Sequence, residues 1–239
     1  MSCLHFTAAE AYRRRVIQMG ESPESVFNVG APGLDNFSRL KLLNKDELEE
    51  SLNFKLYDKN LLVTYHPVTA ASEDGLDELI QALSELPNMG QIITLPNSDP
   101  GHEVIFNKWL DYSKERKNVH VSTSLGQIRY LSAMGLCDVV VGNSSSGIIE
   151  APFSGTPTVN IGCRQSGRIM TKSVFQVSEI TSTKISESIK LAIGFSSKSQ
   201  DTFGDGQSSK EIVKILESKL REVMAVKKFY NWETENHYE

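Results

Sequence analysis

The sequence predicts an α/β fold, a Rossmann-like parallel sheet with helices on both faces. Two observations predict it. Short β-branched runs alternate with stretches of helical periodicity from residue 26 to residue 194. Such alternation means βα units, a parallel sheet and right-handed crossovers. The loops that follow the strands gather the polar and charged residues at one edge, where open parallel sheets bind ligands. The chain has 239 residues, enough for one large domain, or one domain with appended pieces, and for a sizeable core.

The elements follow in order. Residues 6 to 19 read as a helix: Thr7 can cap it, Ala9, Tyr12, Val16 and Ile17 share a face, and Gly20 stops it. No strand precedes it, an odd opening for a domain. Arg13, Arg14 and Arg15 form either a solvated face or a contact with another domain or partner. Val26 to Gly30 is a short strand before the turn Ala31-Pro32-Gly33, and Asp35 is a cap or turn residue. Lys45 to Leu52 is a short polar helix.

Asn60 to Tyr65 is a strand that runs into His66-Pro67-Val68-Thr69. A residue before proline is held extended. His66 there is a phosphate or sugar ligand, an acid/base group, or a turn histidine bonded to nearby backbone. Gly75 to Leu86 is a helix with Leu76, Leu79, Ile80 and Leu83 at helical spacing. The strand Gln91 to Leu95 ends in Pro96-Asn97-Ser98-Asp99-Pro100-Gly101, which is either a plain turn or a set of ligands on the same edge as His66. Val104 to Lys114 is a helix with Trp109 and Leu110 in the core. Val119 to Val121 is a strand, and Gly126 to Met134 a helix.

The clearest chemistry lies in Val139-Val140-Val141-Gly142-Asn143-Ser144-Ser145-Ser146-Gly147-Ile148-Ile149-Glu150-Ala151-Pro152. A buried strand passes through a tight hydroxyl-rich turn into a helix start. Unpaired N–H groups and the positive end of the helix dipole make such a corner an anion site. Glu150, about one turn into the helix, repels phosphate but can accept hydrogen bonds from ribose hydroxyls. The bland alternative is a Ser-capped helix after a strand. The next strand, Pro157 to Gly162, leaves through Cys163-Arg164-Gln165-Ser166-Gly167-Arg168. Two arginines on that loop either suit a diphosphate through forked bonds or lie in solvent. Val174 to Val177 is a strand and Lys184 to Ala192 a helix. Phe203-Gly204-Asp205-Gly206 is a turn. Ser208 and Glu211 then form a capping box that opens a helix to about Met224, with Ile212, Val213, Leu216, Leu220 and Val223 buried. Lys227 to Glu239 is an aromatic and polar tail suited to packing on something else.

Composition narrows the partners. A net charge of −5 argues against nucleic acid or an anionic membrane. No run approaches the about 18 apolar residues of a membrane span, and the N-terminus lacks a signal-peptide pattern. Cys3, Cys137 and Cys163 are an odd, widely spaced set, which suggests reduced thiols and a cytoplasmic protein. No zinc-type spacing occurs, so no metal site is expected.

The segment from Gly142 to Pro152, followed by Asn160-Ile161-Gly162-Cys163-Arg164-Gln165-Ser166-Gly167-Arg168, closely resembles the hydrolysing UDP-N-acetylglucosamine 2-epimerases. Other landmarks agree in order: His5-Phe6-Thr7, Arg13 to Gly20, Val29-Gly30-Ala31-Pro32-Gly33-Leu34-Asp35, His66-Pro67-Val68-Thr69, Pro96-Asn97-Ser98-Asp99 and Gly204-Asp205-Gly206. Non-hydrolysing relatives carry an Asp-Ser-Gly-Gly type turn and a Glu-Arg-Pro-Glu type loop, and this chain has neither.

The resemblance implies a glycosyltransferase-B type fold, in which two Rossmann-like halves face each other across a cleft. It implies that this chain is the C-terminal, UDP-binding half. Residues 1–20 are then a helix crossing from a missing N-terminal domain, 21–225 the UDP-binding domain, and 226–239 a tail crossing back; Met1 marks a truncated gene or an artificial cut. The orphan tail around Tyr230 and Trp232 is left disordered or pairs two copies into a homo-oligomer. The UDP ligands implied are Asn97, Asn143, Ser144, Ser145, Ser146, Gly147, Glu150, Arg164 and Arg168. His66 matches the family histidine facing the sugar-diphosphate and is the catalytic candidate. The substrate is a UDP-sugar, with no metal and no cofactor. The family reaction eliminates UDP and adds water to yield N-acetylmannosamine for sialic-acid-type sugars. Its C2 proton is moved by carboxylates of the absent half. Rival readings are a sibling acting on a 2,4-diacetamido-trideoxy sugar nucleotide, a glycosyltransferase nucleotide-binding domain, and a non-catalytic binding module.

Overall fold

The computed structural model describes residues 2–67, 75–96, 102–195, 201–219 and 228–231. In chain order the elements are β1 (His5–Thr7), α1 (Glu10–Gln18), β2 (Val26–Asn28), α2 (Asn36–Arg39), α3 (Lys45–Leu52), β3 (Asn60–Thr64), α4 (Leu76–Ser84), β4 (Gly90–Thr94), α5 (His102–Ser113), β5 (Val119–Ser122), α6 (Gly126–Leu136), β6 (Val139–Gly142), α7 (Ser146–Ser154), β7 (Thr158–Ile161), β8 (Val174–Val177), α8 (Ser182–Ile193) and α9 (Ser208–Lys219). They form two compact units, Leu40–Gln200, and Met1–Arg39 with Asp201–Glu239. The expected 21–225 block is thus cut at both ends, because residues 21–39 and 201–219 group with the opening strand and helix.

The larger unit holds a six-stranded sheet in the order β5-β4-β3-β6-β7-β8, and every pairing is parallel. The α/β expectation holds. Strands β3, β4, β6 and β7 are buried along their whole length. That explains their near-continuous apolar sequences, since helices cover both faces of a parallel sheet. On one face Leu61, Val63, Ile93, Val139, Val141 and Val159 meet Leu79 and Leu83 of α4, Trp109 of α5, and Ile185 and Ile189 of α8. On the other face α6 and α7 pack over β3, β6 and β7. Leu110, expected in the core, is 38% exposed. Successive helix positions lie about 100° apart, so with Trp109 inward its neighbour turns out.

Strand order reverses between β3 and β6. The first three strands run outward to one side and the last three to the other, the doubly wound arrangement whose switch point opens a crevice at the strands' carboxyl ends. Thr64 and Gly142 are paired across that point. The strands β7 and β8 are joined by residues 162–173 without a helix, which leaves that loop beside the switch point.

The smaller unit opens on a strand, which corrects the helix-first expectation. Strand β1 pairs in parallel with β2 through His5–Val26, Phe6–Phe27 and Thr7–Asn28. Three residues are too few to show a period. Helix α1 therefore starts at Glu10, and Thr7 does not cap it; its hydroxyl reaches the carbonyls of Phe27 (3.2 Å) and Ala9 (3.4 Å). The three arginines have separate fates. Arg13 donates to the Val26 carbonyl at 2.8 Å and the Pro23 carbonyl at 3.0 Å, Arg14 is exposed and pairs with Glu10 at 3.5 Å, and Arg15 lies over the Tyr12 ring. In the tail, the Tyr230 N–H donates to the Gly20 carbonyl at 2.8 Å, and the Phe229 ring occupies the space a side chain at 20 would need.

Asp35 is a cap, but for a helix far along the chain. Its carboxylate accepts from the N–H groups of Ser208 (2.9 Å) and Ser209 (2.7 Å) at the start of α9. The Ser208–Glu211 capping box does not form: the charged acceptor takes the free N–H groups, and Glu211 pairs with Lys214. Val213 is exposed, and Ile212 and Leu216 are only half-buried; Leu220 and Val223 fall outside the described residues. Burial pushes the Asp35 carboxyl up, but the Ser209 and Ser208 bonds and the Arg39 charge outweigh it and hold it below the ordinary value. A depressed carboxylate stabilises fully above its unfolded pKa and loses that contribution as pH falls through the folded value. Asp35→Ala should therefore cost about 2 kcal/mol at neutral pH. Urea unfolding of both proteins at pH 7 and in acid checks this, and a gap that stays constant on acidification would contradict it.

Candidate functional site

The site is built where the backbones of β3 and β6 nearly touch. Gly142 ends β6 with φ +138°, and a Cβ there would lie 1.9 Å from the Thr64 carbonyl oxygen. Only glycine passes this corner. The next N–H, of Asn143, donates to the same Thr64 carbonyl at 3.2 Å.

Asn143 is 1% exposed and then ties three segments together. Its Oδ1 accepts from the His66 N–H at 2.7 Å, and its Nδ2 donates to the His66 carbonyl at 2.9 Å. Its own carbonyl accepts from Gln165 Nε2 at 2.7 Å and Arg164 Nη1 at 3.1 Å. Asn143, expected among the UDP ligands, thus has each end of its amide hydrogen-bonded to the backbone of His66. Gln165 was not foreseen as a site residue. The only signal was its place between the two arginines, and its partner is reached by folding alone.

The turn leads into α7. Ser145 stands at the N-cap, and no side chain caps the helix. Gly147 and Ile148 N–H groups are spent on the carbonyls of Ser144 and Ser145. Among the described residues the backbone N–H groups of Ser144 and Ser145 and the Ser145 hydroxyl have no partner. These are the donors a helix start offers to an anion. Gly147 permits the tight packing beneath, since a Cβ would lie 2.7 Å from Thr158 Cγ2.

Glu150 lies one turn further on. Its Oε2 is buried and has no hydrogen-bond partner among the described residues. Burial pushes its carboxyl above the ordinary glutamate value, opposed by its own backbone N–H and by the charge of Arg168. A buried acceptor without a donor is costly alone, and a ligand hydroxyl would satisfy it. Arg164 and Arg168 are both exposed on loop 162–173, one latched to Asn143 and the other felt by Glu150.

On the β4 side of the turn lies a cavity of ≈ 350 Å³, lined among others by His66, Thr64, Thr94, Tyr130, Ser144 and Ser146. His66, Ser144 and Ser146 thus share one space. Tyr130 and the two threonines were not foreseen, because they read as ordinary helix and strand residues. Asn97 lies outside the described residues. No described helix is long and apolar enough to cross a membrane.

A doubly wound sheet with its polar groups at the switch point defines a Rossmann-like domain. The chain belongs to the UDP-N-acetylglucosamine 2-epimerase family, whose model matches residues 1–217. It is 39% identical over 180 residues to the GDP/UDP-N,N'-diacetylbacillosamine 2-epimerase (hydrolyzing) of Campylobacter jejuni, covering 73% of this chain and 46% of that protein. It is 40% identical over 181 residues to polysialic acid biosynthesis protein P7 of Escherichia coli, covering 74% and 46%. Among solved structures, the UDP-GlcNAc 2-epimerase of Neisseria meningitidis bound to UDP-GlcNAc superposes with a TM-score of 0.72 at 17% identity, covering 91% of this chain and 62% of that one. The chain thus spans about half the length of the curated relatives it matches, 46% in both cases.

Proposed function

We propose that this chain is the UDP-binding, C-terminal half of a hydrolysing UDP-sugar 2-epimerase. The substrate is UDP-N-acetylglucosamine, and the products of the whole enzyme are UDP and N-acetylmannosamine. The observation that carries this reading is the pairing of an open helix start with a buried, unpartnered carboxylate one turn on. A nucleoside diphosphate supplies what each lacks: oxygens for the N–H groups and ribose hydroxyls for Glu150.

Breaking the anomeric C–O bond puts negative charge on the departing diphosphate. Donors already aimed at that charge lower the barrier without reorganising. Ser144 and Ser145 N–H, the Ser145 hydroxyl and the Arg164 guanidinium are placed for this, with Arg168 beside Glu150. His66 lines the cavity on the sugar-diphosphate side, and Asn97 is proposed for the same edge. The base that takes the sugar C2 proton belongs to an N-terminal half, so this chain alone binds UDP and turns nothing over.

A second reading, a UDP-2,4-diacetamido-trideoxyhexose substrate, is favoured by the 39% identity to the C. jejuni protein. It uses the same UDP corner, and supplying each UDP-sugar to the chain joined with an N-terminal half separates the two. The site itself is tested by calorimetric titration of UDP into the chain and into a Ser145→Ala, Ser146→Ala double variant. Binding that the double variant loses supports the reading. Folded wild-type protein that binds no UDP would sink it.

Glu150 adds a pH test. Its carboxylate accepts ribose hydroxyls and its protonated form accepts fewer, so affinity should fall as pH drops through its raised pKa. Uridine has no phosphate to titrate and isolates this limb. Glu150→Gln should weaken uridine by roughly tenfold at neutral pH and abolish the acid limb. An unchanged profile would remove Glu150 from the ribose site.

A further inference from the structure

A file of hydroxyls crosses the cavity wall. Thr94 Oγ1 and Thr64 Oγ1 are 2.7 Å apart, Thr64 Oγ1 and Tyr130 Oη 3.3 Å, and Tyr130 Oη and Ser146 Oγ 2.6 Å. Ser146 Oγ in turn donates to Ser144 Oγ at 3.0 Å. Each hydroxyl has one proton. Ser146 spends its proton on Ser144, so the 2.6 Å contact needs Tyr130 as donor. Tyr130 then accepts from Thr64, and Thr64 from Thr94. Thr94 Oγ1 also lies 3.4 Å from the Val63 carbonyl, and the 2.7 Å contact with Thr64 is much the shorter of the two.

All the protons therefore point one way, from β4 through β3 and α6 to the turn after β6. Ser144 ends the file. It accepts from Ser146 Oγ and, at 3.4 Å, from Ser146 N–H. The Tyr130 phenol feels the Ser144 hydroxyl only weakly, no shorter acceptor for the Ser144 proton occurs among the described residues, and Ser144 lines the cavity.

We propose that Tyr130 is a positioning residue: it commits Ser146 to donate to Ser144, and so aims the Ser144 hydroxyl at an oxygen of the bound diphosphate. This rests on the UDP reading above. Burial pushes the phenol up, so it stays a donor across the neutral range. Hydrogen bonds in series polarise one another and strengthen the terminal donor. With phenylalanine at 130 the Ser146 hydroxyl loses its donor and is free to turn off Ser144, so the Ser144 hydroxyl loses the bond that orients its proton toward the ligand.

The test compares UDP, by calorimetry, with uridine, by an NMR titration, for the wild type and for Tyr130→Phe, Ser144→Ala and their double variant. Tyr130→Phe should weaken UDP about five- to tenfold and leave uridine unchanged. The double variant should bind UDP no more weakly than Ser144→Ala alone, since Tyr130 acts through Ser144. Thr64→Val, which keeps the phenol and the side-chain shape, should show the same phosphate-only loss on a smaller scale, and it decides the matter if Tyr130→Phe melts early. Wild-type UDP affinity in Tyr130→Phe, equal weakening of UDP and uridine, or multiplying losses in the double variant would each overturn the proposal and leave the UDP site standing. Folded wild type that binds no UDP would overturn both.

Discussion

Gly142→Ala should abolish UDP binding and destabilise the fold by at least about 3 kcal/mol. Two costs combine. The backbone at φ +138° lies where a side chain is strained whatever the space. The new methyl would also sit 1.9 Å from the Thr64 carbonyl oxygen, which belongs to the neighbouring strand's backbone and has no rotamer to escape into. Relief requires β3 and β6 to part, and both are buried along their length. Parting them breaks the Asn143 N–H bond to Thr64 and moves the whole serine turn. Urea unfolding checks the prediction, with soluble yield as a second readout. A variant with the wild-type midpoint and wild-type UDP affinity would show that the corner has slack it is not expected to have.

What the sequence discloses divides by range. The alternation of apolar runs and helical stripes places the strands β3 to β8 because each carries its own local period. The serine turn is legible for the same reason, as strand, turn and helix start are contiguous. Three kinds of feature are not. Strand β1 is three residues with a His and a Thr, too short to show a period. The strand order cannot be read from local pattern, so the switch point at Thr64 and Gly142 emerges only on folding. Partners far apart in the chain leave no mark either: Asp35 and Ser208 are 173 residues apart, and His66 and Asn143 77. In each such case a local expectation lost to a stronger tertiary one. Ser208 could cap its own helix, but a carboxylate is a better acceptor than a hydroxyl. Asn143 could face a phosphate, but the backbone N–H and C=O of His66 engage its amide.

Asn143→Ala puts that last point to a direct test. The truncation removes the Asn143 bonds to the N–H and C=O of His66, and losing the partner of a part-buried polar group costs on the order of 1–3 kcal/mol. Stability should therefore drop by roughly 2–4 kcal/mol, and UDP affinity by more than tenfold, as the His66 turn and the serine turn lose their register. The Asn143 carbonyl, being backbone, still holds Arg164 and Gln165, so loop 162–173 should stay in place. Asn143→Asp separates geometry from charge. It keeps an acceptor for the His66 N–H, loses the donor to the His66 carbonyl, and sets a negative charge beside the anion corner. Part of its UDP deficit should then ease as salt screens the repulsion, whereas the deficit of Asn143→Ala should carry no such component. If Asn143→Ala loses UDP binding but keeps wild-type stability, the amide contacts the ligand itself and does not act by positioning the His66 turn.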